Sequence, residues 1–225
     1  MLPYTVIHNA VSLDGRLDWF SPDIGLYYEL ASRWREDATL AGGDTLLKAY
    51  AAQPVPEAPA RPVDPPPAKD GDCHPLLVAP DSRARLRNYW DLLRREPYWR
   101  DVVVLCSRRT PADYAAFLSA RRIGCIVEGD DRVDLGKALE RLNADYGVKR
   151  VRVDSGGTLN GVLLRAGLVN EVSVLVHPCL VGGVTPQSLF RAPDLTSAAG
   201  VINLKLTNLE KLKDGIVWLR YEVVR

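Results

Sequence analysis

An aspartate, a serine and two glycines stand in a row at Asp154-Ser-Gly-Gly157, followed by Thr158, Leu159 and Asn160. Ahead of them, Arg150–Asp154 reads as a short buried strand; behind them, the chain reads as a helix capped near Thr158. A strand that runs through a glycine turn into a helix aims unpaired backbone N–H groups and the positive end of a helix dipole at one place. That arrangement suits a phosphate or pyrophosphate. Asp154 closes the strand at its carboxyl end, where open α/β sheets carry their chemistry. A nucleotide held beside a carboxylate suggests an enzyme.

Each of these residues also has a plainer reading. Gly156 and Gly157 could serve only the freedom of a tight turn, and Asp154 could be a capping carboxylate that accepts turn N–H groups. A smaller copy of the unit precedes it: strand Thr39–Ala41, turn Gly42-Gly43, and Asp44 as cap for a helix over Thr45–Ala51. Gly42, Gly43 and Thr45 are therefore candidates for a second nucleotide contact.

The elements that must position these residues alternate along the chain. Strands are expected at Tyr4–Val11, Leu76–Ala79, Val102–Cys106, Gly124–Glu128 and Glu171–His177. Between them, helices are expected at Gly25–Arg35, Arg83–Arg95 (or a pair of turns there), Pro111–Arg121 and Asp134–Tyr146. Val201–Leu209 and Ile216–Val224 should form a hairpin around Lys213-Asp-Gly215. The whole predicts an α/β fold, with a mostly parallel mixed sheet flanked by helices and closed by an antiparallel hairpin. Gln53–Asp72 contains seven prolines and reads as a solvated extended insert within a single domain over 1–225, with a lid as the functional alternative.

Composition narrows the partners. With 29 basic and 28 acidic side chains the formal charge is +1, so no global field draws the chain to nucleic acid or membrane. No apolar run is long enough to span a bilayer, and no signal peptide is legible, so the expected place is the cytoplasm. Cys73, Cys106, Cys125 and Cys179 are scattered, as are His8, His74 and His177. No metal site is expected from such spacing, and the thiols should be free and mostly buried.

Several stretches combine into a family pattern. Asn9-Ala-Val-Ser-Leu-Asp-Gly-Arg16 resembles the Ser/Thr-Leu-Asp-Gly-Lys opening of the riboflavin-pathway pyrimidine reductases. Asp154–Asn160, Ala166-Gly-Leu-Val-Asn-Glu171 and His177-Pro-Cys-Leu-Val-Gly-Gly183 resemble their later motifs, in the same order, and Asn208–Val217 resembles their closing hairpin. The resemblance covers most of the chain apart from the proline-rich insert. It implies a dihydrofolate-reductase-like fold, usually a homodimer, in which NADPH reduces the ribosylamino side chain of a pyrimidine 5′-phosphate to ribitylamino. No deaminase zinc signature is present, so the chain resembles the stand-alone reductase.

By that resemblance, Ser155, Gly156, Gly157, Thr158 and Leu159 would hold the cofactor pyrophosphate, and Ala10 would meet the nicotinamide through its backbone. Asn9 and Asp154 become the catalytic candidates, and Ser12, Asp14, Gly182 and Gly183 the substrate-side ones; Asp14 could equally be a turn former. A 2′-phosphate needs cationic and hydroxyl donors, which Ser82 with Arg83 and Ser107 with Arg108 and Arg109 offer; exposed arginines can also be merely solvated. Two departures bear on substrate. Asp154 stands for the family's glutamate and Ser155 for a glycine, and an Asp-Asp-Pro segment expected after Leu47-Lys-Ala-Tyr50 is missing. Another imine or pterin-like acceptor, or a nucleotide-binding protein without turnover, are the alternatives.

Overall fold

The computed structural model describes residues 1–51, 74–184 and 187–224, so the proline-rich insert lies outside the described residues. The fold is the α/β class the sequence predicts. Its strands are β1 (Tyr4–Ser12), β2 (Ala38–Leu40), β3 (Leu76–Pro80), β4 (Asp101–Cys106), β5 (Gly124–Val127), β6 (Arg150–Val153), β7 (Glu171–His177), β8 (Leu204–Lys211) and β9 (Val217–Val223). Its helices are α1 (Ile24–Ala31), α2 (Gly43–Ala49), α3 (Trp90–Leu93), α4 (Ala112–Ala120), α5 (Leu135–Tyr146) and α6 (Gly157–Arg165). The chain forms two compact units, one from residues 1–3 and 36–151 and one from residues 4–35 and 152–225.

In the first unit β5, β4, β3 and β2 lie side by side and parallel, with Ala38 opposite Leu76, Leu76 opposite Asp101 and Val103 opposite Gly124. Val102–Val104 and Leu76–Val78 are buried along their whole length, as strands covered on both faces must be. Leu77, Val104, Trp90 and Leu118 share the core. A buried polar chain crosses it: Trp90 Nε1 donates to the Tyr114 hydroxyl at 2.5 Å, which donates to Asp81 at 2.7 Å. Asp81 also accepts from the backbone N–H groups of Arg85 and Leu86 at 2.8 and 2.9 Å. Those bonds fold Arg83–Tyr89 into turns, and only α3 is helical in the stretch read as one helix or two turns. Helix α5 matches expectation: Asp134 caps it by accepting from Lys137 N, and Gly147 ends it at φ 68°.

One cap is corrected. Helix α2 begins after Gly42, which places Asp44 inside its first turn, where it pairs with Arg85 at 2.6 Å instead of capping.

In the second unit β1 and β7 are parallel, with Val6 opposite Glu171, and β7 and β9 are antiparallel. The hairpin forms as predicted, with β8 paired to β9 from Leu204–Val223 to Lys211–Val217 and a register shift between Leu206 and Asn208. Asp214 (φ 54°) and Gly215 (φ 76°) turn it. Helix α1 is capped by Asp23, which accepts from Leu26 N at 2.9 Å, and passes at Ser32 into a 3₁₀ turn. Val6, Leu30, Trp34 and Trp218 form the core here.

Candidate active site

Side chains two apart on a strand share a face. Arg152 in β6 and Asp154, the residue just past its end, keep that spacing, and Arg152 Nη1 donates to Asp154 Oδ2 at 3.0 Å. The arginine side chain is 4% exposed and the aspartate 27%, so a buried guanidinium backs a carboxylate that reaches solvent. The Tyr27 hydroxyl, buried close by, donates to the His8 carbonyl at 2.7 Å. Burial first, and then the Asp154 carboxylate, push that hydroxyl well above its ordinary pKa. Tyr27 therefore acts as a fixed neutral donor. His8 is buried against it, bonded to Ser173 Oγ at 2.9 Å and the Tyr27 carbonyl at 3.1 Å. Desolvation lowers His8 to about 3, with the Tyr27 carbonyl opposing.

The loop after Asp154 is held by two amides. Asn9 Nδ2 donates to the Ser155 carbonyl at 2.9 Å. Asn160 Nδ2, one turn into α6, donates to Asn9 Oδ1 and to the Leu189 carbonyl, each at 2.9 Å. Ser155 is buried, Gly156 half-buried and Thr158 exposed. Helix α6 starts at Gly157, a residue earlier than the expected cap, with Gly156 as its N-cap and no side-chain cap bond.

The two glycines differ in what requires them. A Cβ on Gly156 would meet nothing within 4 Å, whereas one on Gly157 would come within 2.0 Å of the Ser188 carbonyl oxygen. The Gly157 carbonyl accepts from Arg191 N at 2.9 Å, and a Cβ on Gly161 would likewise strike the Arg191 carbonyl. Gly157 is thus required by the close crossing of residues 188–191. At Gly156, the N-cap of the nine-residue helix α6, a side chain would meet no neighbour.

A second cluster gathers the substrate-side candidates. Ser12 Oγ donates to Asp14 at 2.6 Å, and the N–H groups of Val181 and Gly182 donate to the same carboxylate at 3.1 and 2.7 Å. These donors, Ser12 foremost, hold Asp14 well below the usual carboxylate range. The Arg16 guanidinium donates to the Gly183 carbonyl. Gly182 and Gly183 both have positive φ, at 72° and 92°, which favours glycine. Asp14 therefore clamps one loop to another, extending the turn-former reading.

The remaining expected contacts lie in the first unit. Gly42 caps α2 through its backbone, with Gly43 and Thr45 in the first turn. Ser82 and Arg83 sit in the turn tied by Asp81, Arg83 exposed. Ser107 is buried; its N–H donates to Thr110 Oγ1 at 3.1 Å, and its hydroxyl faces the Asp131 carbonyl at 3.5 Å. Arg108 and Arg109 are exposed and paired with Asp130 and Asp131 at 2.6 and 2.8 Å. The expectation of mostly buried thiols is also corrected: Cys106 is buried, but Cys125 is exposed and Cys179 half-exposed, while Cys73 lies outside the described residues. Among the described residues no three His, Cys, Asp or Glu side chains cluster to hold a metal, and no helix is long and apolar enough to cross a membrane.

Arg152, Tyr27 and Asn160 were not among the sequence candidates. Arg152 carried a legible signal, since an arginine within a strand read as buried requires a partner, and Asp154 stands two residues on. Tyr27 gave none, being one aromatic residue on a helix far along the chain.

The family model of the RibD C-terminal domain matches residues 3–218. A 2,5-diamino-6-ribosylamino-4(3H)-pyrimidinone 5′-phosphate reductase of Methanothermobacter thermautotrophicus is 31% identical, over 96% of this chain and 97% of the relative. A protein of the same name from Archaeoglobus fulgidus is 30% identical over 81% of this chain and 84% of its own. In fold, a pyrimidine reductase-like protein of Corynebacterium diphtheriae superposes with a TM-score of 0.71 at 18% identity, covering 99% of this chain and 92% of the other.

Proposed function

Because the chain belongs to the RibD C-terminal domain family, we propose that it is an NADPH-dependent reductase of riboflavin biosynthesis, converting the ribosylamino side chain of a pyrimidine 5′-phosphate to ribitylamino. The observation that carries this reading is the start of α6: an open glycine N-cap directly after a solvent-reaching carboxylate anchored by a buried arginine. NADPH, when bound, supplies the hydride, and the residues Ser155–Leu159 fit its pyrophosphate because Gly156 leaves room and α6 presents its dipole. Hydride transfer needs donor and acceptor held in near-attack geometry. The Asn9–Ser155 and Asn160–Asn9 bonds supply that rigidity on the chain's side.

Asp154 acts in this proposal as a hydrogen-bond acceptor. One of its oxygens is engaged by Arg152, and an ionised carboxylate can only accept. It would orient the sugar hydroxyls or amine of the acceptor, with a solvent water delivering the proton. The test is to mix purified protein with NADPH and the ribosylaminopyrimidine phosphate and follow loss of the reduced nicotinamide absorbance. Oxidation supports the proposal; absence of NADPH binding overturns it.

A second reading keeps fold and cofactor but changes the acceptor to another imine or pterin-like compound. It is favoured by Asp154 in place of the family's glutamate and by the missing Asp-Asp-Pro segment. Tight NADPH binding without turnover of the ribosylaminopyrimidine would support it, or a non-catalytic nucleotide-binding role. We also propose a homodimer, supported by β8, an outer strand whose Leu204, Leu206 and Leu209 are 43%, 48% and 65% exposed. Sedimentation of a monomer alone at micromolar concentration would reject the dimer.

A further inference from the structure

Resting on the reductase reading above, we propose that Tyr28 is a specificity-determining residue of the acceptor subsite. Its ring is the platform on which the planar heterocycle of the acceptor lies, while Asp154 accepts a hydrogen bond from an amino or hydroxyl group beside that heterocycle.

Distances within the second unit place Tyr28 at the carboxylate. Tyr27 and Tyr28 adjoin on α1, with ring centroids 5.0 Å apart and planes at 89°. Tyr27 is buried, its ring centroid 4.4 Å from that of His8 and its hydroxyl bonded to the His8 carbonyl. The turn of helix that carries Tyr28 is therefore fixed against β1. The Arg152 guanidinium lies 5.8 Å from the centre of the Tyr28 ring, and the same guanidinium donates to Asp154 at 3.0 Å. One buried cation is thus shared by an aromatic ring and a carboxylate. Both keep a solvent side: Tyr28 is 51% exposed and the Asp154 side chain 27%. A ligand bonded to Asp154 arrives beside Tyr28.

The contacts also order the ring. The quadrupole of a tyrosine attracts a guanidinium at this distance, and an edge-on contact such as that with Tyr27 is a favoured aromatic geometry. Together they restrict a side chain that would otherwise swing in solvent, so a ligand meets a ring already in place.

Charge then selects the ligand. Arg152 and Asp154 neutralise each other, and the ionised carboxylate can only accept. The complementary group is an N–H or O–H donor, and the surface that complements the ring next to it is a flat π system. An amino-substituted pyrimidine offers both; a sugar phosphate offers only the donor. Tyr28 therefore adds affinity for the heterocycle and none for the sugar phosphate alone.

The test titrates full-length wild type, Tyr28→Phe and Tyr28→Leu by calorimetry with two probes, the ribosylaminopyrimidine phosphate and ribose 5-phosphate. Tyr28→Leu should weaken binding of the pyrimidine probe by about tenfold, as loss of a stacking platform does, and leave ribose 5-phosphate affinity unchanged. Tyr28→Phe, which keeps the ring, should retain the wild-type affinity for both. In turnover, KM for the pyrimidine should rise in Tyr28→Leu with kcat and NADPH affinity nearly unchanged. Equal loss for both probes, together with a lowered Tm, would make the ring only a cover for Arg152 and overturns the proposal. Unchanged pyrimidine affinity in Tyr28→Leu, in a protein whose wild type turns over, overturns it and leaves the reductase reading intact. A wild type that does not bind the pyrimidine probe removes both. If Tyr28→Leu does not fold, wild type carrying isotope-labelled tyrosine decides the matter: the Tyr28 ring resonances should shift with the pyrimidine probe and stay in place with ribose 5-phosphate.

Discussion

The Gly157 carbonyl accepts the backbone N–H of Arg191 at 2.9 Å, across a contact so close that the Ser188 carbonyl occupies the space of a Gly157 side chain. The glycine is needed to let two backbones meet, while its neighbour Gly156 borders open space.

Gly157→Ala should therefore destabilise the protein by about 2 kcal/mol or more, despite alanine's better helix propensity, because rigid backbone has to move. Gly156→Ala should stay within about 1 kcal/mol of wild type, yet weaken NADPH binding. Urea unfolding and cofactor titration separate the two. Equal stability of Gly157→Ala and wild type would contradict the crossing described.

Asp154→Asn should retain the fold and NADPH affinity but lower kcat/KM for the ribosylaminopyrimidine phosphate by about a hundredfold, through loss of orientation. Asp154→Ala should in addition lose stability, since it removes a carboxylate bonded to the buried Arg152 guanidinium. A Michaelis series at saturating NADPH reads the first effect and thermal unfolding the second; unchanged kcat/KM in Asp154→Asn removes Asp154 from the site.

His8 makes stability depend on pH. Its folded value of about 3 lies below the ordinary 6.5, so between these limits the unfolded chain binds a proton that the folded chain refuses. Stability should fall as pH drops from about 6.5 towards about 3, by up to about 1.4 kcal/mol per pH unit from this group. Above about 6.5 both states are neutral and the contribution is flat. Urea unfolding of wild type and His8→Gln at pH 7, 6 and 5 should show a shallower slope in the variant. Parallel slopes would exclude His8 as the source.

Asp14→Ala should release residues 181–183, because the carboxylate accepts both the Val181 and Gly182 amides. Hydrogen exchange at those two amides should accelerate at least tenfold, with β1 and β7 unaffected. Unchanged exchange would mean that the glycine turn holds itself.

Much of this was legible in the sequence, for local reasons. Valine-rich strands, the helix over Asp134–Tyr146 and the Asp-Gly hairpin turn all depend on neighbours in the chain. The loop from Asp154 to Asn160 was legible as a strand–turn–helix unit on the same grounds. What sequence could not supply depends on distant partners. Asp44 has the right residue type for a cap, but Gly42 starts the helix and Arg85 takes the carboxylate. The turns at Arg83–Tyr89 follow from the side chain of Asp81. Gly157 announced a turn, while its actual requirement comes from residues about thirty positions later.

The second unit is assembled from two pieces of chain separated by the first. Val6 in β1 pairs with Glu171 in β7, so the amino-terminal strand must await a partner made 165 residues later. At ordinary synthesis rates that delay is on the order of ten to thirty seconds. The first unit, nearly continuous in sequence, can complete its sheet during that interval. Through it, β1 stays an unsatisfied apolar edge on the nascent chain, and the early strand is where a chaperone would be needed most.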